Sequence, residues 1–115
     1  MTSFAAMFPI LPGKTDRIKE VGAALGGEYA DSFDASQKQL NVPVESWHVQ
    51  QTPNGDFLLV YLEADDPLKM FQTFAEGQSP SDRILKDGVK ECTGVDLDQP
   101  LPGLPTYPIL DYRAK

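Results

Sequence analysis

The sequence predicts one α+β domain with an antiparallel sheet, and three features of the chain lead to this fold class. Residues 45–51 and 57–64 are two β-rich runs separated by Pro53-Asn54-Gly55-Asp56, a pattern typical of a β-hairpin. Asp66-Pro67 and Ser79-Pro80 each precede apolar residues at spacings of three and four, as at the start of an amphipathic helix. With 115 residues, the chain has room for a single core.

Charge limits the partners that the chain can bind. Ten Lys and Arg residues against seventeen Asp and Glu residues give a net charge of −7. Such a surface repels the phosphates of nucleic acids and of anionic lipids, and the basic residues form no cluster that would offset the repulsion. We therefore expect no nucleic-acid partner and no membrane association.

Three features favour a cytoplasmic location. Cys92 is the only cysteine, so no disulfide can form within the chain. The opening segment lacks a basic region, and Pro9 and Pro12 interrupt its apolar stretch before it reaches the length of a signal peptide. No run approaches the roughly 20 apolar residues that span a bilayer.

The first third of the chain predicts a strand and then a helix. Residues 4–11 place apolar side chains on both faces, and Pro9 should lie at the strand end, at an edge or at a bulge. After Pro12-Gly13, the spacing of Ile18, Val21 and Leu25 predicts a helix.

The ends of this helix are predicted from single residues. Thr15 or Asp16 should cap its start. Gly26-Gly27 favours a break, with a second helix running to about Leu40 as the alternative.

The hairpin divides its side chains between two faces. If Asn54 and Gly55 form the centre of a type I′ turn, the pairs across the strands are Leu59 with Gln50, Tyr61 with His48 and Leu62 with Trp47. One face is then wholly apolar and suits packing against helices: Trp47, Val49, Leu58, Val60, Leu62. The other face mixes aromatic, aliphatic and hydrogen-bonding groups, as pockets and subunit contacts do: His48, Gln50, Phe57, Leu59, Tyr61.

Two capped helices and a final strand complete the expected domain. Asp66-Pro67 and Ser79-Pro80 open the helices, and Gly94 suits a left-handed end to the second one. Beyond Gly94 the chain is rich in proline, and residues 107–112 predict a short edge strand. The order β-α-β-β-α-β is that of the ferredoxin-like split βαβ fold, so residues 1–115 are predicted as one ferredoxin-like domain with a proline-rich C-terminal tail.

A sheet with helices on one face only needs a cover for its other face. The chain has no further element to supply that cover, so we expect a second copy of the chain to provide it in an isologous homodimer.

The chain resembles the dimeric α+β barrel superfamily, in which two ferredoxin-like sheets pack face to face. The resemblance rests on Leu11-Pro12-Gly13-Lys14, on the hairpin from Trp47 to Leu62 and on Asp66-Pro67. The chain is also similar to a group of uncharacterised bacterial proteins, through the segments 45–48 and 93–97. The superfamily includes cofactor-free monooxygenases, haem-degrading enzymes, muconolactone-isomerase-like proteins and ligand-sensing domains. The resemblance therefore implies a fold and the location of a pocket, and no family set of catalytic residues can be placed here.

His48 and Tyr61 are the candidate catalytic residues. Histidine is the side chain that ordinarily changes its charge between pH 5 and 8, and His48 is the only one in the chain. Gln50, Phe57 and Leu59 share its face and are the candidate ligand-binding residues. A structural role at a dimer interface is the alternative for all five.

Other residues are expected to be structural. Trp47 should fill the space between sheet and helices, and Cys92 should be a buried, inert thiol. One histidine and one cysteine cannot build a metal centre, and we expect neither a metal nor a cofactor.

Two functions remain open at this point. The first is a homodimer that binds or transforms a small apolar or aromatic molecule without a cofactor, in the manner of a monooxygenase or an isomerase. The second is a non-catalytic dimerisation or ligand-sensing module.

Overall fold

Three strands and four helices form the structure of residues 1–114, the part of the chain that the computed structural model describes. In chain order they are β1 (Thr2–Pro9), α1 (Thr15–Leu25), α2 (Ala30–Leu40), β2 (Val44–Thr52), β3 (Gly55–Ala64), α3 (Pro67–Phe74) and α4 (Pro80–Thr93). The strands form one antiparallel sheet in the order β1-β3-β2. The predicted α+β class and antiparallel sheet are confirmed, and the element order is compatible with a ferredoxin-like fold.

The first strand lies two residues earlier than predicted and ends at Pro9. The backbone N–H of Ile10 then donates to the Asp56 carbonyl at 2.9 Å. Pro9 lacks an N–H, but at the strand end it leaves the hydrogen bonds inside the strand intact. The expected place of Pro9 is confirmed.

The predicted cap of α1 is wrong. Lys14 precedes the helix, and no side chain caps it. Thr15 is unavailable because its hydroxyl donates to Asp56 Oδ2 at 2.7 Å. Gly26-Gly27 does separate two helices, so the break and the second helix to Leu40 both occur.

The hairpin register differs from the prediction by two residues. Thr52 lies opposite Gly55, so Pro53 and Asn54 form the centre of the turn. Proline has a fixed negative φ and suits the first central position of a type I turn. His48 therefore faces Leu59 instead of Tyr61.

The division of side chains between the two faces is nevertheless confirmed. A shift of two residues preserves the alternation of a strand, because side chains repeat with a period of two. Trp47 pairs with Val60 and lies on the same face as that residue. The buried Leu58 and Leu62 also lie on this face.

All four helices pack on that apolar face and enclose the core. The sheet contributes Phe4, Ala6, Leu58 and Leu62, and the helices contribute Ile18, Val21, Leu25, Met70, Phe74, Leu85, Val89 and Cys92. Helices α1 and α4 lie especially close together, since a Cβ atom at Gly88 would be only 2.5 Å from Val21 Cγ2. The opposite face of the sheet is not covered by any helix of the described chain.

The two later helices begin as predicted. Asp66 accepts a hydrogen bond from the Lys69 N–H at 3.1 Å. Ser79 and Asp82 form a capping box at the start of α4, which ends at Gly94 with φ of 82°. Capping side chains, and not helix propensity alone, therefore set where α3 and α4 begin.

A buried lysine fixes the loop that follows α4. Lys86 is 2% exposed, and its ammonium donates to the Gly77 carbonyl at 2.9 Å and to Asp98 Oδ1 at 3.2 Å. The ammonium also lies 4.6 Å from the centre of the Phe74 ring. Arg83 donates to both oxygens of Asp98, at 2.8 and 2.9 Å.

The predicted final strand does not form, and residues 107–112 have no regular structure. Pro105 and Pro108 supply no N–H donor there, and the apolar side chains of the segment remain exposed. Two side chains of the tail form hydrogen bonds with the sheet. Thr106 donates to the Ala5 carbonyl, and Arg113 donates to Glu63 Oε1 at 3.1 Å.

No helix among residues 1–114 is long and apolar enough to cross a membrane.

Candidate functional site

The uncovered face of the sheet carries every residue that the sequence predicted for a site. We call it the open face; its main side chains are those of Ala5, Met7, Ser46, His48, Gln50, Phe57, Leu59, Tyr61 and Glu63. His48 and Gln50 are exposed, whereas Phe57, Leu59 and Tyr61 are partly buried. In one chain this face is a surface and not a cavity.

Tyr61 belongs to a short polar chain at one end of the open face. Its hydroxyl donates to Glu63 Oε2 at 3.1 Å, and Arg113 donates to the other oxygen of Glu63 at 3.1 Å. The hydrogen bond to Glu63 and partial burial raise the pKa of the Tyr61 phenol. Arg113, with the Tyr61 hydroxyl, lowers the pKa of Glu63. The phenol therefore stays protonated and does not act as a base near neutral pH. Its single O–H already donates to Glu63, so it offers a ligand the acceptor positions of its oxygen.

His48 lies on the edge strand of the same face. Its Nε2 is 3.2 Å from the Ser46 hydroxyl. Because His48 pairs with Leu59 and Tyr61 pairs with Ser46, the imidazole and the phenol lie on a diagonal across neighbouring strands. Such diagonal residues are roughly 7–8 Å apart, a distance that one small molecule can bridge.

A second polar cluster lies on the other face of the sheet, and the sequence reasoning missed it. Glu45 accepts a hydrogen bond from Trp47 Nε1 at 2.8 Å through one carboxylate oxygen. It accepts another from Gln37 Nε2 at 2.8 Å through the other oxygen. Burial of the carboxyl raises the pKa of Glu45, although both hydrogen bonds act in the opposite direction.

The cluster lies between a cavity and a cleft. The cavity, of about 50 Å³, lies between sheet and helices and is lined mainly by apolar side chains, among them Phe4, Leu40 and Phe71. This volume accommodates a few water molecules, each of which needs about 10–15 Å³. The cleft, of about 320 Å³, opens between the helices and β2; we call it the Glu45 cleft. It is lined by Gly22, Leu25, Gly26, Phe33, Glu45 and Trp47.

The strand alternation contained a signal for this cluster. Glu45 has the same parity as Trp47 and Val49, so the sequence placed a carboxylate on the face assigned to the core. A charged residue at an inward position needs partners or a function. The partner Gln37 comes from α2, and sequence spacing alone does not reveal that contact.

Trp47 and Cys92 are located largely as expected. Trp47 lies on the helix side of the sheet, but it is partly exposed and forms a wall of both the cavity and the Glu45 cleft. Cys92 is fully buried in the core, and burial raises the pKa of its thiol. A thiol of this kind is poorly reactive.

Comparison with known proteins gave no match of significant similarity to a protein-family model, to a curated protein or to a solved structure.

Proposed function

We propose that the chain forms a homodimer through its open face, and that the chamber between the two sheets binds a small apolar or aromatic molecule. The row of Phe57, Leu59 and Tyr61 on the central strand, whose side chains are only partly buried in one chain, supports this proposal most directly. The apolar side chains in this row lose contact with water when another layer covers them, and an isologous dimer covers two such rows at once. This arrangement is the one that the resemblance to dimeric α+β barrels implies.

The C-terminal tail adds apolar surface to the same region. Tyr107, Ile109, Leu110 and Tyr112 are between 83% and 94% exposed. Full burial of one such side chain contributes about 1.5–3 kcal/mol. Since Arg113 binds Glu63 of the open face, the tail is close enough to this face to join the interface.

The open face has groups for recognition and for proton transfer. Phe57 and Leu59 offer apolar contacts, and Gln50 offers an amide for orientation. His48 is exposed and can accept a proton from a bound molecule and return it at another atom. The Tyr61 oxygen, whose O–H donates to Glu63, can accept a hydrogen bond from that molecule. An isomerisation by proton transfer within the substrate needs no cofactor or co-reactant.

A non-catalytic dimerisation or sensing module is the second candidate. The observation in its favour is that Tyr61 already donates to Glu63, whose other oxygen is paired with Arg113. The polar groups at this end of the open face are thus satisfied without a ligand.

The dimer is tested by sedimentation equilibrium. The wild-type protein should have twice the 12.7 kDa mass of one chain. Leu59→Asp places a charge in the proposed interface and should reduce the mass to that of one chain, because an unpaired buried charge is strongly unfavourable. Ala35→Asp, on the exposed surface of α2, is the matched control and should remain dimeric. A wild-type mass of one chain at millimolar concentration would contradict the dimer.

Ligand binding is tested with 2-naphthol as a probe and the imidazole NMR signals of His48 as the readout. There is one histidine in the chain, so the signals need no assignment. We expect a saturable shift of the imidazole signals in the wild type. In a His48→Ala variant that still has the dimer mass, binding is followed by the fluorescence of 2-naphthol itself and should be lost. A dimer whose imidazole signals do not respond favours the dimerisation module.

A further inference from the structure

We propose that the Glu45 cleft is a second binding site, and that its ligand is a small organic ammonium ion with an aromatic or aliphatic body. The cleft is complete within one subunit and lies on the helix side of the sheet, so the proposal does not depend on the dimer.

The charge of Glu45 has no countercharge. Among residues 1–114, no Lys, Arg or His side chain lies within ion-pair distance of Glu45, and both of its hydrogen-bond donors, on Trp47 and Gln37, are neutral. A carboxylate has about four acceptor positions, and these two donors use two of them. Acceptor capacity therefore remains for a ligand that brings both a donor and a positive charge.

The surroundings of Glu45 select an organic cation over a metal ion. Its neighbours in the cleft are the aromatic rings of Trp47 and Phe33 and the side chain of Leu25. Aromatic faces attract ammonium groups, and apolar walls bind the carbon body of the ligand. One carboxylate alone cannot provide the six to eight oxygen ligands of a calcium site or the octahedral shell of magnesium.

Gly22 in α1 and Gly26, which follows the end of α1, create the space for the ligand. A Cβ atom at Gly22 would meet no atom within 4 Å, and one at Gly26 would meet only a backbone oxygen at 3.8 Å. Neither position therefore requires glycine for packing within the chain. The volume of about 320 Å³ lies at the lower end of the range for small-molecule sites, which favours a ligand of modest size.

The test uses 2-phenylethylammonium as the probe and the indole N–H signal of Trp47 as the readout. Trp47 is the only tryptophan, so a single indole signal reports on the cleft. We expect a saturable shift of this signal. The neutral analogue 2-phenylethanol should bind about 10-fold to 100-fold more weakly, since hydrogen bonds to charged groups contribute about 1.5–3 kcal/mol. Equal affinity for the two probes, or no saturable shift at millimolar concentration, would overturn the proposal.

Two variants locate the site. Glu45→Gln keeps the shape of the side chain and should weaken ammonium binding by about 10-fold or more. Gly22→Leu places a side chain in the cleft, leaves Glu45 itself unsubstituted and should abolish binding. Ala35→Leu, on the exposed face of α2, is the matched control and should leave binding unchanged. Full affinity in Gly22→Leu would overturn the proposal even if Glu45→Gln failed to fold.

The proposed Glu45 cleft site and the proposed dimer can be contradicted independently of each other. Leu59→Asp should retain ammonium binding even as a single chain, because no residue of the open face lines the Glu45 cleft. Loss of ammonium binding in a folded, monomeric Leu59→Asp protein would overturn the claim that one subunit contains the whole site.

Discussion

Replacing Gly88 by alanine tests the close packing of α1 against α4. The new Cβ atom would lie 2.5 Å from Val21 Cγ2 and 2.9 Å from Val21 Cγ1. Carbon atoms in favourable contact are about 3.5–4.0 Å apart, so the helices must separate or Val21 must leave its rotamer. Overpacking of this kind costs about 1–3 kcal/mol, and the higher helix propensity of alanine recovers about 1 kcal/mol. We expect the free energy of unfolding to change by between about zero and a loss of 2 kcal/mol.

Gly22→Ala is the matched control, because Gly22 lies in α1 and its new Cβ atom would meet nothing within 4 Å. This variant should gain about 0.5–1 kcal/mol from helix propensity alone. The propensity terms cancel in the comparison, so Gly88→Ala should be less stable than Gly22→Ala by about 1–3 kcal/mol. Urea unfolding at one fixed protein concentration measures this difference, since the proposed dimer would make the stability depend on concentration.

A double-mutant cycle identifies the contact that is responsible. Truncating Val21 to alanine removes both Cγ atoms and leaves only a contact of 3.3 Å to the Val21 Cβ, so adding Gly88→Ala in that background should destabilise the protein much less. If Gly88→Ala were as stabilising as Gly22→Ala in the wild-type background, the reasoning about helix packing would be refuted.

Three further predictions concern buried and ionisable groups. The raised pKa of Glu45 means that the folded state holds the carboxyl proton more tightly than the unfolded state does. The free energy of unfolding of the wild type, relative to that of Glu45→Gln, should therefore fall as pH rises from about 4 through the folded pKa. Parallel pH profiles of the two proteins in urea unfolding would contradict this. Asp98→Asn should destabilise the protein more than Asp87→Asn in thermal unfolding, because it removes the carboxylate beside the buried Lys86, and equal melting temperatures would show that Lys86 does not need that partner. Cys92 should react with a thiol reagent only at the rate of unfolding, since it has no exposed surface; rapid labelling of the native protein would show that α4 opens locally.

The sequence predicted the parts of the fold that depend on local chemistry. Asp66-Pro67 and Ser79-Pro80 begin helices because their side chains and fixed dihedrals act within one turn of the chain. The two faces of the hairpin were also predictable, because alternation survives an error of two residues in register. The register itself depends on which two residues centre the turn, and Pro53 outweighed the Asn-Gly pair.

Features that depend on distant contacts were not predictable. Thr15 has the composition of a cap, but Asp56, which is 41 residues away in the chain, engages its hydroxyl. Residues 107–112 have the composition of a strand but no ladder in a single chain. The hydrogen bond from Gln37 to Glu45 joins two elements and gives no signal in the spacing of either.

The residues of the open face were predictable from the sequence, whereas the Glu45 cleft was not. The sequence placed His48, Gln50, Phe57, Leu59 and Tyr61 on one face, and they share the open face. The pairing of His48 with Tyr61 was wrong, since it followed from the turn. The Glu45 cleft needed the positions of α1 and α2 relative to β2, and these come only from tertiary packing.

The packing of two open faces is tested most directly by intermolecular nuclear Overhauser effects in a sample that mixes ¹³C-labelled and unlabelled protein. The proposed dimer predicts effects between the methyl groups of Leu59 in one copy and the aromatic protons of Phe57 or Tyr61 in the other, because these side chains form the central row of the face. The arrangement would be contradicted if the protein has the dimer mass but its intermolecular effects involve only residues of the helices α1, α2, α3 and α4. The proposed chamber between the sheets would then be contradicted as well.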